Sequence, residues 1–259
     1  MEKFTNKLKD VLPPILLIAA IIILWEVVST VMHVPDYLLP KPSRIAQAIV
    51  VRYESLWSNL LITLEEVLLG LVVGFVVGFL LALIMFFSPL MRRTLNPIVV
   101  ISQTVPVIAL GPILVIWLGY NILPKIIVVA LIVFFPITVN TFDGLVSCDQ
   151  DLITLLKSMG ANRWQIFTKV QLPNALPFIT SASKVAITFS VIGAVTAEWI
   201  GSDKGLGAYI LQANARIRTP EMFAAILITS LMGIILFFIA QFAENLIIPW
   251  QKGRKIKNS

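Results

Sequence analysis

A polytopic, all-α membrane protein with six transmembrane helices is the fold class this sequence predicts, and three observations predict it. Of the 259 residues, 58% are apolar and only 13% are charged, against about 25% charged in an ordinary soluble domain. Six apolar stretches are long enough to cross, or nearly cross, a bilayer core of about 30 Å. The cationic residues fall unevenly between those stretches, which orients them. Mean hydropathy is +0.92. This composition excludes a soluble enzyme, a secreted disulfide framework and a disordered chain. The single cysteine, Cys148, excludes an intrachain disulfide or thiolate cluster. The single histidine, His33, excludes a multi-histidine metal site. The net charge of +6 is spread through loops, with no dense run of the kind that binds nucleic acid.

The first stretch runs from Ile15 to about Met32, opened by Pro13-Pro14. Trp25 and Glu26 interrupt it and no small-x-small cleavage site follows, so it reads as a retained helix rather than a signal peptide. The second runs from about Leu61 to Phe87 and ends before Pro89. Within it Gly70, Gly74 and Gly78 recur every four residues, extended by Glu66 and Ala82, and form a face for close helix packing. The third runs from about Pro97 to Leu118, where Pro106 and Pro112 must kink or break a helix. Ser102, Gln103 and Thr104 precede that break, and Gln103 and Pro106 are candidates for lining a passage. The fourth runs from about Leu123 to Phe142, the fifth from about Phe178 to Ile200, and the sixth from about Met222 to Pro249. Glu198, followed by Trp199 at the end of the fifth stretch, is the acidic candidate for a gate or pathway. Glu65 and Glu66 read as boundary carboxylates, Glu244 as an interfacial one, and Lys184 as a snorkelling cation.

An even number of spans places both termini on one side, with thirteen Lys and Arg there against seven on the other. The cation-rich side is the cytoplasm. The expected organisation is residues 1–56 as cytoplasmic tail, first span and outer amphipathic segment. Residues 57–250 then form the membrane core, and 251–259 a basic cytoplasmic tail.

The outer segment after His33 contains Pro35, Pro40 and Pro42, and Ser43 can cap a helix carrying Ile45, Ala48, Ile49 and Arg52 on one face. That face lies either on the membrane surface or against the bundle as a lid. The inner loop, residues 143–177, carries two short helical patterns. One places Leu152, Leu155, Leu156 and Met159 together and ends at Gly160. The other follows Ala161, with Asn162 as N-cap and Gln165 at N3, and presents Trp164, Phe167 and Val170 before Leu172-Pro173. An apolar, water-exposed loop of this kind packs on its own bundle or docks a partner. The outer loop from Gly201 to Glu221 is glycine-dense at Gly201, Gly205 and Gly207, and predicts a tight turn into a short helix from Leu206 to about Ala215. No G-x-x-x-x-G-K-[ST] pattern occurs in the chain. If ATP drives this protein, another chain binds it.

Gly160, followed after nine intervening residues by Val170-Gln171-Leu172-Pro173, resembles the signature loop of ABC importer permeases. Gln103-Thr104-Val105-Pro106, Ala197-Glu198-Trp199-Ile200-Gly201 and Gly205-Leu206-Gly207 are similar to the nitrate/sulfonate/taurine branch of that family. Gln212-Ala213-Asn214-Ala215-Arg216 is similar to permeases for thiamine-precursor pyrimidines. Where the family carries an acidic residue and small residues, this chain has Thr154, Leu155 and Leu156. The resemblance implies the type I importer architecture, a second copy of the permease, two cytoplasmic ATPases that bind ATP and Mg, and an extracytoplasmic binding protein. It implies that residues Leu152 to Pro173 seat in the ATPase, and that this chain itself holds no cofactor, carries out no covalent chemistry and binds no nucleic acid. The alternatives are an ion-driven secondary transporter or a non-transporting membrane assembly protein.

Overall fold

The computed structural model describes residues 2–249, with side chains from residue 12 onward; the basic tail at 251–259 lies outside the described residues. Every regular element among the described residues is helical. Six apolar elements have the length and composition to cross a membrane, counting one bent pair as a single span.

Helix α1 (Glu2–Val31) runs through Pro13 and Pro14 without ending there. From Leu12 onward its apolar side chains are largely exposed. Only its far end is tied down: Trp25 meets the Phe223 ring at 6.0 Å, and Glu26 accepts the Ser43 N–H at 3.0 Å and its hydroxyl at 2.8 Å. Helix α2 (Pro42–Val51) starts one residue before Ser43, because Pro42 supplies the fixed φ of a first helical position. Ser43 donates to Glu26 rather than capping its own helix. Ile45, with Ala48 and Ile49, packs against Leu206, Ile210, Ala224 and Ala225, so α2 is a lid on the bundle.

Helix α3 (Tyr53–Phe87) is 35 residues long, about 52 Å at 1.5 Å per residue, and overshoots the bilayer core. The third span is divided between α4 (Pro89–Ser102) and α5 (Val107–Leu118), which meet at a 97° bend. Pro106 marks the break; Pro97 and Pro112 are accommodated inside the two helices. The pair still traverses the bundle. Val99 of α4 packs with Ala82, Met85 and Phe142 at one end, and Gly111 of α5 packs against Ile200 at the other.

Helix α6 (Leu123–Val146) is central, flanked along its length by α3 and α9 (Leu172–Gly201). The Gly70, Gly74, Gly78 face of α3 permits the first of these contacts. A Cβ at Gly74 would lie 2.7 Å from the Val133 Cβ and 2.8 Å from the Ala130 carbonyl, and one at Gly78 would lie 2.6 Å from the Phe134 carbonyl. One at Gly70 would overlap Val129. Between α6 and α9 lie the loop helices α7 (Gln150–Ser158) and α8 (Arg163–Ile166) and a π-helical turn, Phe167–Gln171. After α9 come α10 (Leu206–Ala215) and α11 (Thr219–Ile247).

Candidate functional site

The loop between α6 and α9 is a built structure. Asp149 caps α7 by accepting the Asp151 N–H at 2.8 Å. Gly160 ends it with φ +84°, a conformation that favours glycine, and a Cβ there would meet nothing within 4 Å. Asn162 and Gln165 form a reciprocal capping box at 2.8 and 2.9 Å. Cys148, Ile153 and Ile166 make a small buried cluster beneath, with Leu156, Ala161 and Val170 packed on it. Burial pushes the Cys148 thiol up, which keeps it protonated and inert.

The apolar residues of the loop divide between two faces. Leu156 turns inward with Ile153, and Phe167 is buried beside Leu145, Ala175 and Ile179, with Leu172 packed against that group and Pro173 in the first turn of α9. Leu152, Leu155, Met159 and Trp164 are 41, 57, 74 and 66% exposed. Sequence periodicity grouped Leu156 with the exposed row. It lies instead on the inner side, since α7 is apolar on two sides. Phe167 links the loop to the end of α3, with ring centroids 5.5 Å from Trp164, 6.0 Å from Phe86 and 5.0 Å from Phe87. Asn174 adds hydrogen bonds to the Gly144 carbonyl at 3.2 Å and the Ser147 hydroxyl at 3.1 Å. Lys184 pairs with Glu244 at 2.6 Å, joining α9 to α11 rather than snorkelling.

At the other end, α10 is held by its first four backbone N–H groups, which a helix leaves without internal acceptors. Gly205 N–H donates to the Asn59 side chain at 2.7 Å, and Leu206 N–H to the Thr63 hydroxyl at 2.8 Å. Gly207 and Ala208 N–H donate to Glu198, the latter at 3.4 Å. Thr63 in turn donates to Glu198 at 2.6 Å. The two glycines are required by proximity: a Cβ at Gly207 would lie 2.7 Å from the Glu198 carboxylate, and one at Gly205 would overlap it. Beside this cluster the fully buried Glu66 pairs with Lys125 at 2.9 Å, and Lys125 donates to the Ser202 hydroxyl at 2.7 Å. Glu66 is thus an interior partner and not a boundary carboxylate, whereas Glu65 is exposed.

Glu198 is therefore enclosed by its own chain, bonded to Thr63, Gly207 and Ala208, whereas Gln103 and Pro106 stand at the α4–α5 bend. Trp199, the next residue, is exposed beside an apolar groove of about 800 Å³ between α9 and α11. Asn59, Thr63 and Lys125 escaped sequence reasoning, because their partners lie far away along the chain. A polar cavity of about 440 Å³ adjoins α10, lined by Arg52, Lys204, Arg216 and Arg218 together with Asp203 and Glu221, and Glu221 pairs with Arg52 at 3.2 Å and Arg218 at 3.7 Å. Burial and the neighbouring Glu221 push the Tyr209 phenol up to about 12, so it stays a donor to Glu221.

Residues 74–252 match the family described as the binding-protein-dependent transport system inner membrane component. The chain is 39% identical over 242 residues to the formylaminopyrimidine transport permease protein ThiX of Halalkalibacterium halodurans, covering 93% of this chain and 96% of that one. It is 27% identical over 240 residues to the taurine transport system permease protein TauC of Escherichia coli, covering 90% and 87%. A chain of the MetNI methionine ABC transporter, solved in an inward-facing conformation, has the same fold with a TM-score of 0.63 at 23% identity, over 76% of this chain and 96% of that one. The resemblance read from the inner-loop and Ala197–Gly207 motifs is borne out, as is the type I importer architecture. The chain belongs to the binding-protein-dependent transport system inner-membrane components, which are permease subunits and not enzymes.

Proposed function

We propose that this chain is the membrane half of an ATP-driven importer, assembled as two permease copies with two cytoplasmic ATPases and an extracytoplasmic binding protein. The observation that carries the reading is the row Leu152, Leu155, Met159 and Trp164, exposed on a loop whose underside is fixed by buried side chains and a capping box. A rigid base under an exposed apolar row suits a lever that another protein grips. ATP and Mg belong to that partner. The cation distribution supports both termini and the loop on the cytoplasmic side, and α10 with the polar cavity on the delivery side. The exposed stripe of α9 that includes Val185, Phe189, Ile192 and Trp199 supports contact with a second copy around a central passage.

The transported solute is a small molecule, and an aminopyrimidine-type precursor is favoured by the 39% identity to a formylaminopyrimidine permease over nearly the whole chain. The sulfonate and taurine permeases are more distant, at 27–29%. Transport assayed in proteoliposomes with the matching ATPase and binding protein tests this. ATP-dependent uptake supports it, and uptake driven by an ion gradient without the ATPase contradicts it.

A further inference from the structure

The turn between α10 and α11 holds an isoleucine that is both strained and exposed. Ile217 has φ +57°, a left-handed conformation that a β-branched residue rarely adopts. The way α10 ends imposes it. Ile217 N–H donates to the Asn214 carbonyl at 3.0 Å, and Arg218 N–H to the Ala213 carbonyl at 2.9 Å. That pair of bonds stops a helix with its next residue in the left-handed region, where glycine is the relaxed choice. This chain instead places a large apolar side chain there and leaves it 70% exposed. An apolar side chain left in water contributes no burial to offset its strain, so neither backbone preference nor packing accounts for Ile217. Strain of this kind concentrates where a residue meets a ligand or partner.

We infer that Ile217 is an apolar knob for a soluble partner that offers a recess rimmed by carboxylates, and that this partner is the binding protein that delivers the solute.

The surroundings set the partner's charge. Of the seven Lys and Arg on the side opposite the termini, five line two cavities at this turn: Arg44, Arg52, Lys204, Arg216 and Arg218. Arg52, Arg218 and Glu221 line both cavities, which makes them one continuous surface. Three carboxylates stand among the five cations, Asp36, Asp203 and Glu221, so positive charge is in excess. Glu221 is shared between Arg52 and Arg218, and Asp36 pairs with Arg44 at 3.5 Å. Among the described residues Arg216, which adjoins Ile217, and Lys204 have no ion pair. Val51, 67% exposed, lines the smaller cavity and adds a second apolar contact beside Arg218. An apolar centre with cations around it complements an apolar recess with an acidic rim.

Lipid tails do not account for the knob. The apolar run of α11 begins at Met222, and Ile217 precedes it on the far side of Arg218 and Glu221. Charged neighbours on both sides keep the turn on the water side of the span, where a soluble protein is what covers an apolar side chain.

This inference rests on the importer reading above and deepens it by naming the seat of the delivery protein. The full-length chain, assembled with its ATPase in lipid nanodiscs, is titrated with the purified binding protein that supports ATP-dependent uptake in proteoliposomes. Ile217→Gly is expected to weaken binding by roughly tenfold, the worth of one buried aliphatic side chain. It should do so without lowering the thermal unfolding midpoint, because glycine relaxes the turn. Ile217→Val should keep most of the affinity. Arg216→Ala is expected to slow association and to flatten its dependence on salt. A structural role for Ile217 predicts the reverse, a lower midpoint in Ile217→Gly with binding untouched, and that result overturns the inference. So does a wild-type rate and salt dependence in Arg216→Ala. Binding that requires phosphatidylglycerol in the nanodisc and neither residue also overturns it, in favour of a lipid headgroup at the cationic cavities. Uptake that needs no binding protein contradicts the importer reading itself. Uptake that needs one, with both variants at wild-type affinity, contradicts the inference alone.

Discussion

The Thr63 hydroxyl donates to Glu198 at 2.6 Å while accepting the Leu206 N–H at 2.8 Å, so one side chain of α3 joins α9 to the start of α10. All three groups are buried. Removing the hydroxyl leaves a carboxylate oxygen and a backbone N–H short of a partner together. Thr63→Val, which keeps the shape, is expected to cost about 1–3 kcal/mol. A lowered thermal unfolding midpoint, together with faster hydrogen exchange across Leu206–Ala208, checks it. Unchanged exchange there would show that α10 is held by other means.

The Glu66–Lys125 pair should behave asymmetrically. Lys125→Met removes the cation and leaves Glu66 buried without its counter-ion, at an expected cost of about 3–5 kcal/mol. Adding Glu66→Leu removes the stranded carboxylate and should recover much of the loss. Unfolding of the two variants in detergent makes the comparison, and a double variant less stable than Lys125→Met contradicts the pairing.

Gly74 and Gly160 are both glycines for physical reasons, but different ones. At Gly74 the limit is space, with Val133 and the Ala130 carbonyl already where a side chain would go. Gly74→Leu is expected to abolish the folded permease, since α3 and α6 cannot separate cheaply. At Gly160 there is open space, and only the positive φ resists substitution. Gly160→Ala should therefore cost about 1 kcal/mol and preserve insertion. Yield of folded chain by size-exclusion chromatography separates the two outcomes.

The exposed row of the loop should matter for coupling and not for folding. Leu155→Asp places a charge on a side chain already in water, so insertion and thermal stability are expected to hold. Ile153→Asp, buried in the cluster with Cys148 and Ile166, should destabilise the loop itself. ATPase pull-down is expected to fall in both, with stability lost only in the second.

Much of this arrangement was legible in the sequence because its signals are local. Spans follow from composition, the broken third span from Pro106, the loop helices from Gly160 and the Asn162–Gln165 spacing, and the packing face of α3 from its glycine period. What was not legible depends on pairs distant along the chain. Glu198 read as a gate residue because a carboxylate in an apolar stretch invites that role, but the acceptors for α10 are completed by Asn59 and Thr63, more than 130 residues earlier. Glu66 looked like a boundary residue until Lys125 met it. Leu156 was grouped with the exposed row because two apolar faces on a nine-residue helix cannot be told apart by period alone.

Cross-linking from the loop to the ATPase is the most direct measurement of the central claim. Met159→Cys, treated with a short bifunctional thiol reagent in membranes containing the assembled importer, is expected to join the ATPase and to resist membrane-impermeant reagents added from outside intact cells. Labelling of that cysteine from outside, with no joined ATPase, would contradict the account.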